Sequence, residues 1–131
     1  MTHPNEELLR EAFAAFQRGD LAALQSKYFA EDIRYHVPGQ GPVSGDYHGI
    51  DEVLAFYGRL FELSAGTLRL ELHDVLANDH HGVALFTVHA QREGKQLIDN
   101  EVLISHPSPD GKAAEIWTQP ADQYASDEFW S

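Results

Sequence analysis

The chain has 131 residues, the size of one domain, and 43% of them are hydrophobic, which is enough for one buried core. Its 9 Lys and Arg residues against 21 Asp and Glu residues give a formal net charge of −12, so no positive face is predicted for nucleic acid or an anionic membrane. The lack of cysteine excludes disulfides, thiolate catalysis and cysteine metal sites. Without a signal-peptide pattern or an apolar run near the roughly 18 residues of a membrane span, we expect a single cytoplasmic domain over residues 1–131.

The first half of the chain has the periodicity of helices. An apolar stripe predicts a first helix from about Glu6 to Arg18, which Gly19 ends. The stretch from Leu21 to Tyr28 predicts a short second helix. The strand DIRYHV follows and ends at a proline, and a third helix is predicted from Ile50 to about Leu63.

The connection between the first strand and the third helix, YHVPGQGPVSGDYHGID (residues 35–51), is rich in glycine, proline and aromatic residues. An irregular segment of this composition, with Tyr47 and His48 near its end, is suited to roofing a pocket that has an apolar surface and a few polar groups. The alternative is a plain loop whose aromatic residues cover the edge of the core.

The second half of the chain reads as four strands. Alternating leucines predict a strand at about 67–77, and a segment that is apolar on both faces at its start predicts a central strand at about 82–92. Two further strands are predicted at about 96–105 and 112–119, and the turn sequences NDHHG, REGK and HPSPDG join the four. Three helices followed by a run of antiparallel strands predict an α+β domain with the helices on one side of a curved sheet.

Three stretches together resemble a known family: AFQRGDLAALQSKYFAEDIRYHVPG, GDYHGIDEVLAFYGRL and DGKAAEIW. They are similar to the SnoaL-like branch of the nuclear-transport-factor-two-like superfamily. The resemblance implies a cone, in which a strongly bent antiparallel sheet packs against three N-terminal helices and leaves a pocket at the open end. It also implies a homodimer, since many members of the superfamily are dimers.

The superfamily contains ketosteroid isomerases, polyketide cyclases, epoxide hydrolases, dehydratases and non-catalytic binding modules, so fold alone does not define the activity. The steroid isomerases have a tyrosine where this chain has Ala12, and a basic aspartate where it has Val37. Their second acid falls at Glu101 or Leu103. Because two of the three roles are vacant, we do not expect a steroid isomerase.

The polyketide cyclases are closer in one segment, EIWTQPAD. Their aspartate base follows an E-x-W motif, which here corresponds to Glu115 and Trp117 and implies Asp122 as the base. Asp122 lies one residue later than the family spacing, and a shift of one residue in a strand turns a side chain to the other face.

Glu101 is the carboxylate that the residue pattern favours. It shares a face of its predicted strand with Leu97 and Leu103, and a carboxyl group among leucines has a raised pKa that suits a general acid or base near neutral pH. The alternative is a structural carboxylate that pairs with a neighbouring strand. We expect Glu101 rather than Asp122 to be the ionisable group of the pocket.

Other candidates have weaker support. His36 adjoins the position of the missing isomerase base and is a catalytic candidate, although strand alternation places it on the face opposite Tyr35. His89 could line the pocket or the dimer surface, and Trp117 could be pocket wall or dimer contact. Tyr47 and Tyr57 are predicted at the rim and in the core.

We expect no metal, because the eight histidines show no ligand-like spacing, and no cofactor. Phe129 and Trp130 are expected to dock on the domain or on a partner subunit. The predicted function is general acid–base proton transfer on a small apolar substrate, as in an isomerase, cyclase or hydrolase. The alternatives are a non-catalytic module that binds a small ligand and a dimerisation domain with a vestigial pocket.

Overall fold

The computed structural model describes residues 2–131 as one six-stranded sheet with four helices. The helices are α1 (Pro4–Gln17), α2 (Leu21–Ala23), α3 (Ile50–Leu63) and α4 (Gln123–Trp130), and α2 runs directly into a π-helical turn (Leu24–Tyr28). The strands are β1 (Phe29–Val37), β2 (Gly45–His48), β3 (Arg69–Ala77), β4 (Gly82–Arg92), β5 (Lys95–Pro107) and β6 (Ala113–Pro120).

The sheet has the strand order β2-β1-β6-β5-β4-β3 and is curled without closing. Consecutive strands from β3 to β6 form an antiparallel meander, and β2 pairs antiparallel with β1. The remaining pairing, β1 with β6, is parallel and places Tyr35 beside Ile116 and His36 beside Trp117. Since side chains alternate along a strand, these two pairs lie on opposite faces of the sheet.

The inner face of the sheet and the apolar faces of α1 and α3 form the core. In α1 the buried residues include Phe13 and Phe16, at helical spacing. Phe13 packs edge-on against Phe86 of β4 at a ring distance of 5.2 Å, and Phe16 packs against Tyr57 of α3 at 4.8 Å. Gly49, with φ of 87°, makes the turn from β2 into α3, a conformation that other residues rarely adopt.

The structure confirms the predicted α+β fold, with α1, α3 and the β3–β4 hairpin at the expected places. Two elements were not predicted. Residues 45–48 form strand β2 within the expected loop, and residues 123–130 form helix α4. The sheet is also not wholly antiparallel, because β1 pairs in parallel with β6.

Helix α4 docks on its own domain. Phe129 and Trp130 are 2% and 6% exposed, so both are buried within the chain. Arg92 of β4 donates to Phe129 O at 3.1 Å, and Lys95 of β5 donates to Glu128 O at 2.9 Å. These two cations lie at the C-terminal end of α4, where they bond free carbonyl groups and favour the helix dipole.

Candidate functional site

A cavity of about 120 Å³ lies between the inner face of the sheet and the helices. An apolar cavity of about 150 Å³ holds a benzene molecule, so this one is the size of a single ring. Most of its lining is apolar or aromatic. The aromatic residues around it are Phe13, Phe16, Phe29, Tyr35, Phe56, Tyr57, Phe86 and Trp130.

Glu101 is the acidic residue that the middle of the sheet contributes to this lining. It lies in β5 opposite Phe86 of β4 and Pro120 of β6, and its neighbour on the same face, Leu103, is buried. Burial, followed by the negative charge of Asp99, raises the pKa of the Glu101 carboxyl to about 7. Both causes oppose ionisation, so near neutral pH the group can take up or release a proton.

Two buried tyrosine hydroxyl groups form the second polar feature of the cavity. Tyr57 of α3 donates to the hydroxyl oxygen of Tyr35 in β1 at 3.1 Å. Burial raises the pKa of both phenols well above the usual value, and the charge of Glu101 raises that of Tyr35 further. Both hydroxyl groups therefore stay protonated, and the proton of Tyr35 is left to donate to a ligand.

Part of the cavity wall is formed by α4 and the segment of residues 38–44, which we call the roof segment. From these two elements, Pro38, Gly41, Gln123 and Asp127 line the cavity. Asp127 Oδ2 accepts from the backbone N of Gln40 at 2.9 Å. At Gly39 a β-carbon would overlap with the side chains of Gln123 and Asp127, so the close approach of the two elements requires glycine there.

The predicted site residues divide between the cavity and other places. Glu101 and Tyr57 line the cavity. Tyr47 lies behind its wall, where its ring stacks on Phe56 at 4.5 Å and its hydroxyl donates to Val43 O at 2.7 Å. Of the connection expected to roof a pocket, the roof segment does line the cavity, whereas Tyr47 does not.

Asp122 lies outside the cavity lining and caps α4. Its Oδ1 accepts from the backbone N of Ala125 at 3.0 Å, the usual bond of a helix N-cap. Its own backbone N donates to Asp99 Oδ2 at 3.0 Å. Asp122, which lies one residue later than the cyclase spacing, is therefore at the exposed start of a helix and not in the cavity wall.

His36 and Trp117 lie on the outer face of the sheet, so neither the catalytic role considered for His36 nor the pocket-wall alternative for Trp117 fits their positions, whereas the alternation argument for His36 does. The ring nitrogens of His36 lie 2.8 Å from Asp46 Oδ1 and 2.7 Å from Glu115 Oε2. These bonds, first to Asp46 and then to Glu115, raise the pKa of the imidazole. Trp117 stacks on His36 at 5.2 Å. Alternation along β1 explains the placement, because Tyr35 occupies the inner face.

His89 is also on the outer face, where its Nε2 lies 3.0 Å from Glu71 Oε1. That bond is the main reason why the pKa of Glu71 is lowered. Like His36, His89 therefore pairs with an exposed carboxylate and is not part of the cavity lining.

Tyr35 and Gln123 line the cavity but were not assigned to the site from the sequence. Strand alternation puts Tyr35 on the same face as Val37. Because Val37 aligns with the catalytic base of the isomerases, the sequence already indicated that Tyr35 faces the cavity. Gln123 had no such signal, because its position depends on α4, which was not predicted.

Within residues 2–131, no group of three or more His, Asp and Glu side chains is arranged to hold a metal ion. In the same part of the chain, no helix is both long enough and apolar enough to cross a membrane.

Comparison with known proteins agrees with this fold. The family model of the SnoaL-like domain matches residues 9–118, so the chain belongs to the SnoaL-like family. An uncharacterized protein of Mycobacterium tuberculosis is 36% identical over 126 residues, which cover 95% of each chain.

Solved structures show the same architecture. Bal32a, from a soil-derived mobile gene cassette, has a TM-score of 0.92 and 30% identity, covering 97% of this chain and 96% of its own. A protein of unknown function with a cystatin-like fold from Xanthomonas campestris has a TM-score of 0.91 and 28% identity, covering 98% and 99%. A nuclear-transport-factor-two-like protein of unknown function from Burkholderia pseudomallei, at 23% identity, shares the fold with a TM-score of 0.86, covering 99% of each chain.

Proposed function

We propose that the protein is a cofactor-free enzyme that moves a proton on a small, mainly apolar carbonyl compound bound in the cavity. The observation that carries this proposal is the combination of Glu101 and the Tyr35–Tyr57 hydroxyl pair in one apolar cavity. An ionised carboxyl group in such surroundings is unfavourable to stability, and its presence in the same cavity as two protonated phenols suits acid–base chemistry.

In the proposed reaction Glu101 acts first as a base and then as an acid, and Tyr35 stabilises the intermediate. The Glu101 carboxylate takes a proton from the carbon next to the carbonyl, and the electrons of that C–H bond move to the carbonyl oxygen to give an enolate. Tyr35 donates a hydrogen bond to this oxygen, and the bond from Tyr57 strengthens Tyr35 as a donor. In a conjugated enolate Glu101 then gives the proton to a different carbon, so that a double bond moves and the net change is an isomerisation. In a ring closure the enolate carbon instead attacks a second carbonyl of the same molecule, and Glu101 gives the proton to the alkoxide that forms. Return of a solvent-exchanged proton to the original carbon gives deuterium exchange alone.

Exchange of protons next to a carbonyl tests this proposal without a known substrate. Cyclohexanone in D₂O, with one ring and one carbonyl, fits the size of the cavity, and NMR follows the incorporation of deuterium. We expect the protein to accelerate exchange and Glu101→Gln to lower the rate on the order of 10²- to 10⁴-fold, the usual contribution of a general base. Tyr35→Phe should lower it on the order of 10²-fold through loss of the donor to the enolate.

His36→Gln is the matched control for this experiment, because His36 lies on the outer face and should leave the exchange rate unchanged. Exchange no faster than in buffer, or a Glu101→Gln variant as active as the parent protein, would overturn the catalytic proposal.

A non-catalytic binding module is the alternative, and the largely apolar lining of the cavity favours it. In that case cyclohexanone should shift the NMR resonances of cavity residues without gaining deuterium. The cavity itself counts against a dimerisation domain with a filled core.

We also propose that two copies associate through the outer face of the sheet. Large apolar side chains remain exposed there, with Ile98 60% and Leu85 41% accessible in the single chain. Ile104 is paired with Trp117 on the same face, so the apolar surface continues across β4, β5 and β6. Exposed apolar area of this kind is typical of an interface, and a second copy offers the same surface in return.

Light scattering tests the association. The parent protein should have the mass of a dimer, and Leu85→Lys should give a monomer, because a buried lysine would lack a partner. Glu101→Gln, on the inner face, is the control and should remain a dimer. A monomer mass for the parent protein at high micromolar concentration would exclude this interface.

A further inference from the structure

Gln123, in the wall of the cavity, has a buried oxygen atom with no hydrogen-bond partner among residues 2–131. The residue is the first of α4, directly after the Asp122 cap, and its side chain lines the cavity. Buried polar atoms without a partner are rare in folded proteins, because they lose the bonds that water would make. Such an atom beside a cavity points to a ligand that supplies the missing donor.

The identity of this atom follows from its neighbours. Gln123 Nε2 donates to Asp127 Oδ1 at 2.9 Å and to Pro38 O at 3.4 Å. Both neighbours are acceptors, so turning the amide over would set Oε1 against two oxygen atoms. The amide nitrogen is therefore fixed on the side of α4 and the roof segment, and the unpartnered atom is the oxygen.

Gln123 belongs to the same cavity as Glu101 and is tied to the same strand. The start of α4 is held to β5 by two bonds, from Ala121 N to Asn100 O at 2.8 Å and from Asp122 N to Asp99 Oδ2 at 3.0 Å. The residue after Asn100 is Glu101. The first turn of α4 and Glu101 are therefore connected parts of the cavity wall.

We propose that Gln123 Oε1 accepts a hydrogen bond from a hydroxyl or N–H group of the substrate, so that the cavity selects a compact ring ketone that carries such a donor. This inference rests on the proposed function, which assigns the carbonyl to Tyr35 and Glu101. Gln123 then acts as a specificity-determining residue: it recognises a second group of the substrate and takes no part in the proton transfer.

Matched ligands isolate this bond. The probes are 3-hydroxy- and 4-hydroxycyclohexanone, each compared with the methylcyclohexanone of the same position, which has a similar size but no donor. NMR titration gives the dissociation constants. We expect at least one hydroxyl ketone to bind about tenfold more tightly than its methyl partner, the effect of one hydrogen bond to a group otherwise left unpaired.

Gln123→Met removes the acceptor and keeps an unbranched side chain. In this variant the methyl ketones should bind as before, and the preference for the hydroxyl ketone should fall to about one. Damage to the fold would weaken both ligands alike, so the ratio separates recognition from structure. Tyr124→Ala is the control on the same helix, because Tyr124 is 90% exposed, and it should retain the preference.

A measurement on the unaltered protein guards against a variant that fails to fold. The Gln123 side-chain carbonyl resonance should shift on addition of the hydroxyl ketone and should stay in place with the methyl ketone. Equal affinities for both ligands in the parent protein, or a preference that survives in Gln123→Met, would overturn the inference.

The outcomes also separate this inference from the proposed function. Deuterium exchange without any preference for a donor group overturns the role of Gln123 alone. A preference for the hydroxyl ketone without exchange overturns the catalytic proposal alone. If none of the ketones binds at tens of millimolar, both proposals fall.

Discussion

Two glutamates on adjacent strands show that a charged side chain has a different environment on each face of this sheet. Glu115 of β6 points outward, where its carboxylate lies 2.7 Å from His36 and 3.2 Å from Arg34. Glu101 of β5 points inward, where burial and Asp99 raise its pKa and no cationic side chain among residues 2–131 lowers it. The outer carboxylate belongs to an ion-paired network. The inner one is destabilising when ionised, which is why its presence indicates a function.

Of the predictions that test this contrast between Glu115 and Glu101, the pH dependence of deuterium exchange has the largest expected effect. Only the ionised form of Glu101 can act as a base, so with a pKa of about 7 we expect the rate to rise with pH and level off above about 8. At pH 5 about one molecule in a hundred carries the carboxylate, and the rate should be about a hundredfold below the plateau. NMR exchange measurements between pH 5 and 9 check this.

His36→Gln again gives the control, because it alters only the outer network and should leave the profile in place. A rate already at its plateau at pH 5 would show that Glu101 has the pKa of an exposed glutamate, which would end the contrast between the two faces.

Stability should respond to Glu101 in the opposite sense to an ordinary carboxylate. Its pKa in the folded protein, about 7, lies above the usual glutamate value of 4.5, so the folded state binds the extra proton and stability falls as pH rises between these values. Glu101→Gln removes this dependence. Relative to the parent protein it should gain about 2 kcal/mol in free energy of unfolding between pH 5.5 and pH 8.5.

Urea denaturation at the two pH values measures this gain, with Glu115→Gln as the matched variant on the outer face. Glu115→Gln should be destabilising, since it leaves His36 and Arg34 without their shared partner. If the Glu101→Gln variant were less stable than the parent protein at pH 8.5, the conclusion that the Glu101 carboxyl is buried without a partner would be wrong.

The outer network should also lose stability as pH rises, but in a range that begins near the unfolded histidine pKa of about 6.5. The raised pKa of His36 in the folded state means that its contribution is fully present below the unfolded pKa of about 6.5 and is lost as pH rises through the folded value. We expect His36→Gln to cost about 1 kcal/mol at pH 6 and less at pH 9, as for a partly exposed ion pair. An equal cost at both values, from urea denaturation, would show that the imidazole is not charged in this network.

The smallest expected effect concerns Asp122. As a helix cap, Asp122→Ala should cost about 1 kcal/mol, and Asp122→Asn only a few tenths, because asparagine also caps helices well. Thermal denaturation measures both, and the deuterium exchange rate of Asp122→Asn should match that of the parent protein. Loss of exchange in this variant would transfer the role of base from Glu101 to Asp122.

The sequence was sufficient for the elements whose packing imposes a period. The stripe of α3 and the alternation of β3, β4 and β5 predicted these elements, and the same alternation put Glu101 on the face of Leu97 and Leu103, both of which are buried. A long element that buries one face repeats its apolar residues at fixed intervals, so its sequence records its orientation.

The elements that were missed have no such period. Strand β2 has four residues and none is buried, and α4 presents mostly polar residues with only Phe129 and Trp130 buried at its end. The parallel pairing of β1 with β6 joins strands about 80 residues apart in the chain, and no local pattern specifies it. Gln123 was missed because α4, which positions it, was not predicted. Tyr35 was placed on the correct face of its strand but was not proposed as a site residue.

The parallel pairing of β1 with β6 also affects the order in which the strands fold. The meander from β3 to β6 joins neighbours in the chain through short turns, but β1 must close a loop of about 80 residues to reach β6, which is slow because of the entropy of closure. We expect the amides of β4 and β5 to gain protection from hydrogen exchange before those of β1 during refolding, and simultaneous protection would contradict this order. Because Tyr35 arrives with β1 and Glu101 with β5, the cavity would acquire its hydroxyl pair last, after its acid is already in place.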